Sequence, residues 1–196
     1  MEFQPIDMDF CISTNLFSLH LESTSQTSFH LSQRVGHTTL YCPEGQLSAD
    51  ALFQKRMRRV IREVLRSQAR LLFVPRLNRW SARTGLTFNR MAIHDVKTRW
   101  GSYSGRGNLN LSLYLLLMDA CYVDYTMCHE LCHSREMNHG PRFWALLDSV
   151  LGCDSRRLGR EMNGIVRQWY AQNDLRYLLI SVKCPNRTAT FFWIEP

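Results

Sequence analysis

The 196-residue chain contains no hydrophobic run long enough to cross a bilayer. Its longest strongly apolar stretch, Leu111 to Met118, falls far short of the ~20 residues that a transmembrane helix needs. The opening residues, Met1 to Phe10, carry Glu2, Asp7 and Asp9 and no basic residue, so the charged start of a secretory signal is missing. Internal repeats and low-complexity linkers are absent as well. These absences lead to the expectation of a soluble, cytoplasmic protein. The seven cysteines (11, 42, 121, 128, 132, 153 and 184) are odd in number and irregular in spacing, which argues against a disulfide framework and for reduced thiols.

Acidic residues are scarce in one region. Between Lys55 and Arg83 there are ten Lys or Arg residues and a single acid, Glu63, within a chain of net charge +7. No nucleic-acid-binding motif and no interleaved aromatic series accompanies this charge. Two readings therefore stand: a solvated helix face, or an electrostatic footprint for nucleic acid or acidic protein segments, with Arg58, Arg59 and Arg62 as contacts.

What is present suits one globular domain: 45% of the residues are hydrophobic, and the length permits a sizeable core. The most informative feature is His129-Glu130-Leu131-Cys132-His133, an HExxH motif followed by His139. Positions i and i+4 of a helix share a face, so His129 and His133 can reach one ion. Glu130 lies one step round, beside the metal, where a carboxylate can take a proton from zinc-bound water. His139 can complete the ligand set if the helix ends near Met137 and the chain turns back, which Asn138, Gly140 and Pro141 permit. Three histidines leave a fourth tetrahedral position open, the pattern of a catalytic zinc rather than a structural one. The alternative is that these are ordinary half-buried polar residues. Cys128 and Cys132 lie about 100° from the histidine face and read as packing residues.

The spacing from His129 to His139 also equals that of the metzincin motif, but Glu136 stands where that motif needs a glycine, and the assignment fails. Glu136 and Asp148 remain second-choice ligands or partners that orient a ligand.

Elsewhere, short β-like segments at Leu16–Leu21, Ser28–Leu31 and Thr38–Cys42 end at Pro43-Glu44-Gly45. A helix is predicted from a Ser48 cap, with Leu52, Met57, Val60, Ile61, Val64, Leu65 and Leu71 at helical intervals, ending before Pro75. Leu86 to Val96 reads as extended, and the Gly105-Arg106-Gly107-Asn108 turn joins Arg99–Tyr103 to the run from Leu109 to Leu115 in a hairpin. Asp119 is the expected cap of the metal helix. Gly140-Pro141 opens a second helix with Phe143, Trp144, Leu146, Leu147 and Val150, and a third covers Ser155 to about Ala171. The expected class is α+β: an N-terminal antiparallel sheet packed on a helical core that carries the metal helix. The expected organisation is a poorly defined segment at 1–15, one domain at 16–171, and a C-terminal extension at 172–196 forming a β-hairpin.

Several segments together resemble the YgjP-like zinc metallopeptidase family and, more distantly, SprT-like proteases. They are Thr98-Arg99-Trp100-Gly101-Ser102, Asn108-Leu109-Asn110-Leu111, Asp124-Tyr125 leading into the HExxH motif, and Asn138-His139-Gly140-Pro141-Arg142-Phe143-Trp144. The resemblance is strongest over Leu86 to Val150. It implies a zincin-like fold, one Zn²⁺ on His129, His133 and His139, Glu130 as the acid/base residue, and a peptide or protein substrate. The chain departs from the family pattern at Tyr103, where a cysteine is usual, in an N-terminal strand poor in arginine, and in the tail after Ala171. The expected reaction is peptide hydrolysis by zinc-activated water, with a transition-state donor among Tyr103, Arg99 and Asn110; Arg99 and Trp100 also read as structural supports. The competing readings are a nucleic-acid-associated protease or adaptor using the 55–83 stretch, and a non-catalytic module stabilised by zinc. Glu130 argues against the last, since a structural site has no use for a base beside an open position.

Overall fold

The computed structural model describes residues 5–172. The predicted C-terminal hairpin lies outside them. The described chain is α+β, with two small mixed sheets and four α-helices. Strands β1 (Cys11–Ser13), β2 (Ser18–Thr24), β3 (His30–Arg34) and β4 (His37–Pro43) form the first sheet in the order β1-β2-β4-β3. The expected antiparallel arrangement is only partly met, because β2 runs parallel to β4, with Leu19 opposite Thr38 and Leu21 opposite Leu40. The β3–β4 hairpin folds back so that its second strand, not its first, takes the place beside β2.

Helix α1 (Ala51–Thr84) follows this sheet in the chain. Its cap is Asp50 rather than Ser48: the Asp50 carboxylate accepts from the Leu52 and Phe53 amides, both at 2.9 Å. The helix does not stop at Pro75 as predicted but runs through it to Gly85, which ends it at φ 66°. A proline inside a helix costs about 3 kcal/mol, since it removes one N–H and crowds the carbonyl four residues back. Here Pro75 and Leu71 are both exposed, so water reaches that turn, while Phe73 and Leu77 on the opposite face are fully buried. Burial of two such side chains, roughly 1.5–3 kcal/mol each, offsets the break.

Two buried glutamines of α1 tie distant chain to the helix. Gln54 binds both the amide and the carbonyl of Ile6 at 2.7 and 3.1 Å, and Gln68 binds Gly36 N and Arg34 O at 2.9 and 3.1 Å. Residues 5–15, which carry little pattern in the sequence, thereby supply β1 and the buried Ile6, Phe10 and Ile12.

The second sheet holds β5 (Arg90–His94), β6 (Gly101–Tyr103) and β7 (Asn108–Ser112) in the order β5-β7-β6. The predicted β6–β7 hairpin is present, and β6 is an edge strand. A 3-10 turn over Leu113–Leu117, entirely buried, leads into α2 (Ala120–Cys132). Helices α3 (Pro141–Leu151) and α4 (Ser155–Gln172) then pack against α2, which lies between them and the second sheet. Asp119 occupies the N-cap position of α2, but its side chain makes no capping hydrogen bond.

Candidate metal centre

Helix α2 positions the first two imidazoles. His129 and His133 are one turn apart at its C-terminal end, and the helix stops at Cys132, five residues before the predicted end at Met137. The cause is local: the Glu136 carbonyl accepts from His133 Nδ1 at 3.0 Å, so the chain tightens into a turn instead of continuing. This bond also leaves His133 Nε2 with its lone pair available. The Glu136 carboxylate, considered as a second-choice ligand, is not in the metal group; the backbone of Glu136 is what orients His133.

The turn brings His139 back over the helix. Its Nε2 lies 2.9 Å from His129 Nε2, and the candidate ligand atoms of His129, His133 and His139 all fall within 4.8 Å of one another. Among the described residues this is the one group of three potential ligands that converges on a single point. Helix α3 holds the arrangement from behind. The Trp144 indole donates to the His139 carbonyl at 3.0 Å, and the buried Phe143 ring contacts all three imidazoles, with centroids 4.8, 4.8 and 4.7 Å away. Phe143 thus forms an apolar floor under the three rings.

The donor set fits a metal such as zinc. Zn–N bonds of ~2.0–2.1 Å set three tetrahedral nitrogens about 3.4 Å apart, a separation that lies between the 2.9 Å of one pair here and the 4.8 Å that bounds them all. His129 Nδ1 is buried without a hydrogen-bond partner, and burial, with smaller contributions from His133 and His139, lowers the His129 pKa to about 3. Burial also lowers that of His133, against the opposing effect of the Glu136 carbonyl. Both rings are therefore neutral at pH 7, the form in which imidazole ligates a metal.

Glu130 is buried, 7% exposed, and projects toward β6. A Cβ on Gly101 would stand 2.6 Å from Glu130 Cγ and 2.7 Å from Oε1, so the glycine makes room for the carboxylate. Burial raises the Glu130 pKa from 4.5 to about 7, and the positive charge of Arg99 opposes the rise.

Other residues singled out in the sequence are placed differently. The Tyr103 hydroxyl donates to the Thr87 carbonyl at 3.0 Å, and the Asn110 amide links His94 and Ser102 at 3.0 and 3.1 Å. Asp148 accepts from the Ser155 amide at 2.8 Å at the start of α4. Cys128 and Cys132 are fully buried, and burial raises both thiol pKa values, that of Cys132 to about 12. Neither belongs to the metal group.

The basic stretch is divided by the fold. Arg62 faces Asp95 at 3.6 Å, Arg66 pairs with Glu63 at 2.5 Å, Arg58 is partly buried and Arg59 is exposed. Arg76 turns inward to make a two-pronged ion pair with the buried Asp124, at 2.5 and 2.6 Å, while the Trp80 indole donates to the same carboxylate at 2.7 Å. Asp124 sits on α2 five residues before His129, so this cluster joins the metal helix to α1. Sequence reasoning missed it because Arg76 looks like one more member of a charge run.

A short helix carrying two histidines and an adjacent buried glutamate, a third histidine from the following turn, and a sheet edge alongside are consistent with a zincin-like metallopeptidase fold. The family model described as YgjP-like, metallopeptidase domain, matches residues 13–164, and the chain belongs to that family. No curated protein and no solved structure matches it significantly. No helix among the described residues is long and apolar enough to cross a membrane.

Proposed function

We propose that this protein is a zinc-dependent peptidase in which His129, His133 and His139 hold the metal and Glu130 moves the proton. The observation that carries the reading is the buried Glu130 carboxylate, seated against Gly101 one residue from a metal-ligating histidine. When bound, zinc supplies Lewis acidity and lowers the pKa of water at its open position to about 7.

Glu130, whose basicity burial raises, is suited to act on such a water as general base. It takes the proton as the water attacks the substrate carbonyl and returns it to the departing amine. Arg99 keeps the carboxylate from being protonated more completely, because its charge favours the anion. Phe143 beneath the imidazoles excludes water from below. Strand β6, at the sheet edge beside Glu130, offers backbone groups with which an extended peptide can pair, and this favours a peptide substrate.

The test uses metal analysis and a peptide-library cleavage assay. Glu130→Gln is expected to keep one zinc per chain and lose turnover by at least a hundredfold, in line with the ~10²–10⁴-fold contribution of general acid–base catalysis. Equal cleavage by wild type and Glu130→Gln would sink the proposal.

A further inference from the structure

An open cleft of about 180 Å³ borders His129 and Glu130 between the start of β6, the face of α2 one turn before His129, and α4. Its walls are mixed, with Trp100, Tyr125 and the buried Met162 side chain as the large apolar members. Thr126 offers it no uncommitted donor, since its hydroxyl is donated to the Tyr122 carbonyl at 2.9 Å. Apart from Glu130, none of the lining residues carries a charge at neutral pH.

Helix α4 keeps this space open. A Cβ on Gly159 would lie 2.5 Å from the Tyr125 hydroxyl oxygen, so the phenol lies back against α4 only because position 159 has no side chain. Any larger residue would drive the ring toward the cleft. Asn163, one turn further along α4, is exposed and stands at the rim. The volume is comparable with the ~150 Å³ apolar cavity that admits a benzene ring.

Resting on the peptidase reading above, the geometry points to this cleft as the specificity pocket, taking a large apolar side chain (Leu, Met or Phe) of a residue adjoining the scissile bond. An acidic side chain would be brought against the Glu130 carboxylate in a cleft whose own lining contains no Lys or Arg. A lysine or arginine would engage the Glu130 carboxylate and withdraw it from proton transfer. Glycine or alanine would leave the pocket unfilled.

Calorimetry on the zinc-loaded protein with peptide hydroxamates differing in one side chain separates these cases without relying on turnover. Isobutyl and benzyl members are expected to bind roughly tenfold or more tightly than methyl and carboxymethyl members. Asn163→Arg, a change at the rim, is expected to improve carboxymethyl binding several-fold relative to isobutyl binding. Met162→Ala is expected to shift the preference from isobutyl toward benzyl. Uniform affinities across the series, or no binding by any member, overturn the pocket. A clear isobutyl preference in a protein whose cleavage rate equals that of Glu130→Gln supports the pocket and removes the peptidase reading instead.

Discussion

Glu130 and Gly101 are closely fitted in the candidate site, and each constrains the other. Because a Cβ at position 101 would stand 2.6 Å from Glu130 Cγ, Gly101→Ala must push the carboxylate aside. A misplacement of about 1 Å can cost ~100-fold in rate. The expected result is a fall of tenfold or more in kcat with unchanged zinc stoichiometry, checked by steady-state kinetics and metal analysis. The carboxylate also carries a pH signature. Its pKa is raised from 4.5 to about 7, so the folded metal-free protein holds a proton that the unfolded chain releases. The stability contributed in this way is complete below pH 4.5 and is lost as pH rises through about 7. Metal-free Glu130→Gln should therefore be more stable than wild type at pH 8, by on the order of 3 kcal/mol, and nearly equal to it at pH 4.5. Urea unfolding of the two proteins at both pH values provides the check. His129 titrates in the opposite sense but identically in both, and cancels in the difference.

At the scale of elements, the join between α1 and α2 rests on one buried carboxylate. Asp124 accepts from both Arg76 and Trp80, and its side chain is 10% exposed. Asp124→Ala would leave a partly buried guanidinium and an indole N–H without their acceptor, at a cost of about 3 kcal/mol, the lower end for a buried pair. Denaturant unfolding should show that loss, and the double change Arg76→Met with Asp124→Leu should recover most of it. The sequence foretold the existence of α2, α3 and α4 and the β6–β7 hairpin, since each is written in local spacing and turn residues. Its errors fell where distant contacts decide. Pro75 is a strong local stop signal, yet burial of Phe73 and Leu77 carries α1 past it. The parallel β2–β4 pairing depends on how a hairpin docks, which no single segment records.

For the molecule as a whole, a metal at the three imidazoles would bind the folded chain and not the unfolded one, so its removal must lower stability. At a free metal concentration a thousandfold above Kd, the linkage is worth ~4 kcal/mol. For a chain of this size that corresponds to roughly 8–16 °C in Tm. A chelator is expected to produce such a drop in a thermal melt while far-UV circular dichroism stays native at 20 °C. The core continues into the first sheet and α1, through Leu19, Ile61 and Leu65, and does not need the metal to form. The basic stretch likewise acquires its meaning only from the whole. Arg62, Arg66 and Arg76 meet Asp95, Glu63 and Asp124, so three of its ten cations serve ion pairs within the fold rather than a partner.

The amino-acid sequence by itself determined the candidate metal chemistry. Two histidines at i and i+4 share a helix face wherever that helix is placed, and Asn138, Gly140 and Pro141 permit the return of a third. It could not place the glutamate in a dry environment, lay Phe143 under three imidazoles, or open a cleft beside them. Those features need Gly101, Phe143 and Gly159 brought from three other elements, and the contacts between them form only when the sheet, α3 and α4 close around α2.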